Sequence, residues 1–132
     1  AMPDQRYDSI HLPVMAEQIT QYLAVTSDGS FVDLTCGLGG HLLALSGALS
    51  HEARLYGIDR DNEALAIASE RLHNVEQQLT LVHGSYADLD RLAADWKEQT
   101  FDGLLLDLGL SSLVVDTDWR CCCAALKNIP IT

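Results

Sequence analysis

Short apolar runs alternate along this chain with longer segments of helical spacing. Ser30 to Thr35, Arg54 to Asp59, Leu79 to His83 and Phe101 to Asp107 are aliphatic and β-branched, and each ends near a glycine or an acid; they are predicted strands. Gly40 to Leu49, Asn62 to Val75 and Asp88 to Lys97 fill the gaps between them and are predicted helices. In the second of these, Leu65, Ala68 and Leu72 share one face while Glu63, Glu70 and Arg71 are available to water. In the third, Leu89, Leu92, Ala93 and Trp96 form an i, i+3, i+4, i+7 stripe, and Ser85 with Asp88 makes a capping-box pattern just before it. Ahead of the first strand, Met15, Ile19 and Leu23 predict a helix that ends before Ser27, Asp28 and Gly29.

Strands that alternate with helices in this way predict an α/β fold, a parallel sheet with flanking helices on both faces. The run LLLDL, apolar at nearly every position, suits a strand buried on both sides. Residues 1–118 read as one unit. Residues 119–132 read as an atypical tail, because WRCCCAALKNIPIT shows neither strand alternation nor a helix long enough to complete the sheet. Four strands alone would leave one edge of the sheet open, which invites self-association, so a homodimer is a candidate assembly.

Composition narrows the function classes. No stretch reaches the roughly 18 apolar residues of a membrane span, and the N-terminal residues lack the apolar run of a secretory signal. A soluble, cytoplasmic protein without membrane contact is the expectation. Cys121, Cys122 and Cys123 are adjacent, which fits neither zinc spacing nor a disulfide framework, so no metal site is expected and a reducing compartment fits. The formal net charge is -11, with only eight Lys and Arg, and they are scattered. A chain so acidic does not grip a phosphate backbone by itself.

Candidate chemistry begins at FVDLTCGLGGHL, where Gly37, Gly39 and Gly40 crowd the turn from the first strand into the following helix. Ligands of open parallel sheets bind at the carboxyl ends of the strands, and glycines let a ligand approach the backbone. Asp59 ends the second strand about 20 residues later, where an acid can accept both hydroxyls of a ribose or can cap a helix. A dinucleotide fingerprint would need a third glycine where Leu42 stands. Asp33, inside the first strand, would repel a pyrophosphate but can face a cationic amino-acid end such as that of S-adenosylmethionine. Asp107 ends the fourth strand, where a carboxylate could hold an N–H of an exocyclic amine or cap the turn at Ser111 and Ser112.

HLPVM at 11–15, FVDLTCGLGGH at 31–41, LYGIDRDNEAL at 55–65, LVHGSYADL at 81–89 and FDGLLLDLGLSS at 101–112 occur in that order. Together they resemble the bacterial small-subunit rRNA cytosine-N4 methyltransferases of the MraW type, over His11 to Asp118. The resemblance implies a Rossmann-like class I methyltransferase fold that uses S-adenosylmethionine. It further implies methylation of N4 of a cytidine in the decoding region of 16S rRNA, with the small ribosomal subunit as partner. Carried over at matching positions, Gly39, Gly40 and His41 would contact the cofactor and Asp59 its ribose. Tyr86 would lie beside the adenine where the family has Phe, and Asp107 near the methyl group. Without the resemblance, His41 is a first-turn helix residue and Tyr86 a core residue.

Two departures bear on activity. Val114 stands where the family has a Gln that contacts the cofactor, and WRCCC replaces an Arg-Gly-Phe segment. The alternative to an active enzyme is therefore a truncated, catalytically incompetent relative that keeps a cofactor-binding half-site.

Overall fold

A computed structural model describes residues 13–23, 28–107 and 123–131. Helix α1 (Pro13–Leu23) leads into β1 (Ser30–Asp33), α2 (Gly40–Ala48), β2 (Arg54–Asp59), α3 (Asn62–Arg71) and β3 (Gln78–His83). A short 3-10 turn (Tyr86–Asp88), α4 (Leu89–Trp96), β4 (Thr100–Asp107) and β5 (Cys123–Pro130) follow. The sheet order is β3-β2-β1-β4-β5. The first four strands pair in parallel, and β5 pairs antiparallel with β4. The connection leaves β1 toward β2 on one side, and the chain later returns to β4 on the other. Such a reversal opens a crevice at the carboxyl ends of β1 and β4, where ligands of these sheets sit.

Neighbouring side chains on a strand point to opposite faces, and the core divides accordingly. Phe31, Leu55 and Leu105 pack with Ile19, Leu23, Leu42, Leu45, Leu65, Ala68 and Leu72 under α1, α2 and α3. Val32, Tyr56 and Leu104 face the other way and pack with Leu92, Ala93 and Phe101 against α4. Both faces are therefore covered by helices, as the near-continuous apolar strands require. Ile19 and Leu23 are buried as expected, while the side chain of Met15 lies outside the described residues. Opposite the crevice, Glu98 ties the amino ends together: it accepts from Arg54 Nε at 2.6 Å and from Tyr56 Oη at 2.6 Å.

The tail corrects the sequence-based expectation for residues 119–132. Cys123–Pro130 forms a strand along β4, so the sheet has five strands among the described residues. Its pattern hid it for two reasons. Leu126 faces outward at 45 % exposure, while Lys127 is half-buried and sets its ammonium 4.4 Å from the centre of the Tyr22 ring. Asn128 then takes a left-handed conformation, φ 56°, which interrupts the alternation, and Ala125 and Ile129 pack into opposite core layers. Ser111, Ser112, Val114, Cys121 and Cys122 lie outside the described residues.

Candidate functional site

The glycine bend is held from both sides. Leu34 N donates to Leu105 O and Cys36 N donates to Ile58 O, both at 2.8 Å, so the backbone stays between β4 and β2 after β1 has ended. Gly37 and Gly39 have φ of 55° and 85°, the left-handed region that costs a side chain most and glycine least. A Cβ on Gly39 would also stand 3.1 Å from Ala68 Cβ and Leu72 Cδ1, whereas one on Gly40 meets nothing within 4 Å. The space over Gly40 is open to a ligand. Gly39→Ala should therefore lower thermal stability by about 1–3 kcal/mol, read in a denaturation curve. Gly40→Ala should leave that curve unchanged and weaken cofactor binding in a titration.

The three acids predicted from sequence stand at the tips of three adjacent strands. Asp59 Oδ2 accepts the Gly37 N–H at 2.6 Å and its Oδ1 accepts the Asp61 N–H at 2.9 Å. Helix capping is carried by Asp61 instead, whose Oδ1 accepts from Glu63 N and Ala64 N. The cap alternative for Asp59 is thereby removed. Each carboxylate oxygen keeps further acceptor capacity, so Asp59 can fix the bend and still receive ligand hydroxyls.

Asp33 is fully buried. Its Oδ1 accepts the Thr35 N–H at 2.9 Å and the Thr35 hydroxyl at 3.3 Å, while Oδ2 has no hydrogen-bond partner. Burial raises its pKa to about 6, against the opposing pull of Thr35 and the charge of His41. His41, in the first turn of α2, reaches across the crevice with Nε2 3.3 Å from Asp107 Oδ2. The proton in that contact belongs to Nε2, so the neutral ring offers a lone pair at Nδ1, which is buried and without a partner. Burial lowers the His41 pKa, but the Asp107 hydrogen bond and the charges of Asp33 and Asp107 outweigh it, and the net direction is upward.

Tyr86 completes the rim. The capping box is present, Ser85 Oγ accepting from Ala87 N and Asp88 Oδ2 accepting from Ser85 N, and it opens the 3-10 turn that carries Tyr86. Tyr86 is 47 % exposed, which excludes the core reading. Gly84 N donates to Asp59 O, holding the base of this turn against the end of β2. Sequence reasoning missed Thr35, which was counted only as the last residue of a strand. The spacing Asp-x-Thr at a strand end, a local side-chain-to-backbone turn, was the available signal.

A mostly parallel sheet of this order, flanked by helices, is the core of a Rossmann-like methyltransferase fold. The S-adenosylmethionine-dependent O-methyltransferase of Thermotoga maritima shares the fold, with a TM-score of 0.53 at 13 % identity over 79 % of this chain and 46 % of that one. Residues 8–122 match the MraW methylase family, and the chain belongs to it. Ribosomal RNA small subunit methyltransferase H of Trichlorobacter lovleyi is 43 % identical over 110 residues, 83 % of this chain and 35 % of that protein. The protein of the same name from Geotalea uraniireducens is 41 % identical over 113 residues, 86 % of this chain and 36 % of its own length. The chain thus spans about a third of the length of the curated relatives it matches.

Proposed function

We propose that this chain binds S-adenosylmethionine and serves the methylation of N4 of a cytidine in 16S rRNA, acting on the small ribosomal subunit in the cytoplasm. The observation that carries the reading is the convergence of Asp33, Asp59 and Asp107 on the glycine bend, with Asp33 Oδ2 left as a buried acceptor and His41 Nδ1 buried without a partner. A buried carboxylate oxygen without a partner is costly unless a donor reaches it, and an amino-acid ammonium is such a donor. The names of the relatives, rRNA small subunit methyltransferases, supply the substrate class.

On this reading Gly37, Gly39 and Gly40 admit the ligand to the backbone, Asp59 takes the ribose hydroxyls and Tyr86 flanks the adenine. Asp33 takes the ammonium, and His41 lines the same crevice. The bound cofactor supplies an electrophilic sulfonium methyl group. Asp107 accepts an N–H of the cytosine amine, which returns electron density to a nitrogen whose lone pair is delocalised into the ring. Positioning provides most of the rate.

The net charge of -11 favours a second reading, in which the chain binds cofactor without transferring methyl to RNA. Calorimetric titration with S-adenosylmethionine, followed by methyl transfer to 30S subunits lacking the mark, separates the two. Binding with transfer establishes the first, binding alone the second, and absence of binding overturns both.

A further inference from the structure

The end of β1 carries a link between strands that none of the cofactor contacts explains. Asp33 pairs in register with Leu105 on β4, and the last backbone bond between the two segments runs from Leu34 N to Leu105 O. Beyond it the β1 backbone turns away into the glycine bend. The next amide of β4 to face this side, Asp107 N, donates instead to the Thr35 hydroxyl at 2.7 Å. That same hydroxyl donates to Asp33 Oδ1 at 3.3 Å, and the Thr35 N–H donates to Asp33 Oδ1 at 2.9 Å. One hydroxyl has one hydrogen and two lone pairs, so it can do both at once.

We infer that Thr35 is the positioning residue of this site, its hydroxyl extending the β1–β4 ladder by one rung and fixing the two carboxylates of Asp33 and Asp107 relative to each other. With both Thr35 donors on Oδ1, Asp33 Oδ2 is left buried and without a hydrogen-bond partner. Asp107 in turn sets His41, whose Nε2 lies 3.3 Å from Asp107 Oδ2. A shift of the Asp107 backbone would therefore move His41 relative to Asp33. The other ionisable groups facing Asp33 are His41 from α2, Asp107 from β4, and the Cys36 thiol beside it, itself raised by burial and by the charges of Asp33 and Asp59. The inference rests on the cofactor reading for its ligand but not for its geometry.

The test compares Thr35→Val, which removes the hydroxyl and keeps the branch, with Thr35→Ser, which keeps the hydroxyl. Hydrogen exchange at the Asp107 amide should accelerate about tenfold in Thr35→Val and stay at the parent rate in Thr35→Ser. The Asp33 carboxyl titration, followed by carbon NMR, should move to higher pH in Thr35→Val, because a donor to the charged form is gone. S-adenosylhomocysteine affinity should fall about tenfold in Thr35→Val and less than about threefold in Thr35→Ser. Thr35→Ala carries the same readouts should the Val variant not fold. Unchanged exchange and titration in Thr35→Val overturn the inference, as does an equal affinity loss in Ser and Val. If exchange and titration respond but the parent chain binds no S-adenosylhomocysteine, the positioning role stands and the cofactor reading fails.

Discussion

Replacing Asp33 with Asn is expected to stabilise the chain near neutral pH while weakening its grip on a cationic ligand. The carboxyl is fully buried and its pKa is raised from 3.8 to about 6. Unfolded, the group releases its proton near 3.8; folded, it keeps it to about 6. Between these values the native state binds more protons, so stability falls as pH rises across that window. A shift of that size costs about 3 kcal/mol once both states are ionised. Denaturation curves should show the parent losing stability between pH 4 and 6 relative to Asp33→Asn, with a further loss at higher pH because the Asp33 charge is one of the groups that raise His41. His41 adds a decline of the same sign at higher pH, because a raised histidine pKa stabilises below 6.5 and is lost as pH rises through the folded value. The window from 4 to 6 therefore isolates Asp33. Asn would place an N–H where the Oδ2 acceptor stands, and affinity for S-adenosylhomocysteine should drop at least about tenfold. Parallel pH profiles in the two proteins would remove the argument. A site that holds an uncompensated carboxylate trades stability for function.

What could be read from sequence depended on how many side chains had to agree. β2 carries the predicted bounds, Arg54–Asp59, and β4 differs by one residue at its start, because each is an apolar run flanked by polar breaks. α3 stops at Arg71 rather than at Val75: Leu72 and Val75 continue the apolar pattern, but Leu72 already leaves helical geometry, with ψ of 9°. Asp33, Asp59 and Asp107 were legible as site candidates because an acid at the tip of an apolar strand is conspicuous. Thr35 and Glu98 were not, since their importance lies in partners 72 and 42 to 44 residues away that no local pattern reveals. β5 was missed because a leucine faces outward along it, a lysine is half-buried beside it, and the left-handed Asn128 breaks the alternation. The pairing of His41 with Asp107, 66 residues apart, follows only once β1 and β4 are known to be neighbours.

Asp59→Ala is expected to abolish cofactor binding at concentrations where the parent is saturated, with a smaller effect on folding. Two roles end in the same substitution. The Gly37 N–H loses its acceptor at 2.6 Å and the Asp61 N–H loses its own at 2.9 Å, so the bend is freed on the side that a ligand would approach. The ribose hydroxyls lose a charged acceptor as well, and hydrogen bonds to charged groups contribute about 1.5–3 kcal/mol each. Two such bonds correspond to a loss of roughly 100-fold or more in affinity. The stability cost stays modest because both freed amides can reach water beside a partly exposed side chain. Asp61→Ala is the matched control. It removes the α3 cap, at a cost of about 1 kcal/mol in stability, yet leaves the Asp59 carboxylate in place, so affinity should stay within about threefold. Calorimetry with S-adenosylhomocysteine reads both. Two acids two residues apart would then divide cleanly, one serving the helix and the other the ligand. Equal affinities in Asp59→Ala and Asp61→Ala would show instead that the tip of β2 takes no part in binding, and that Asp59 serves only to shape the glycine bend.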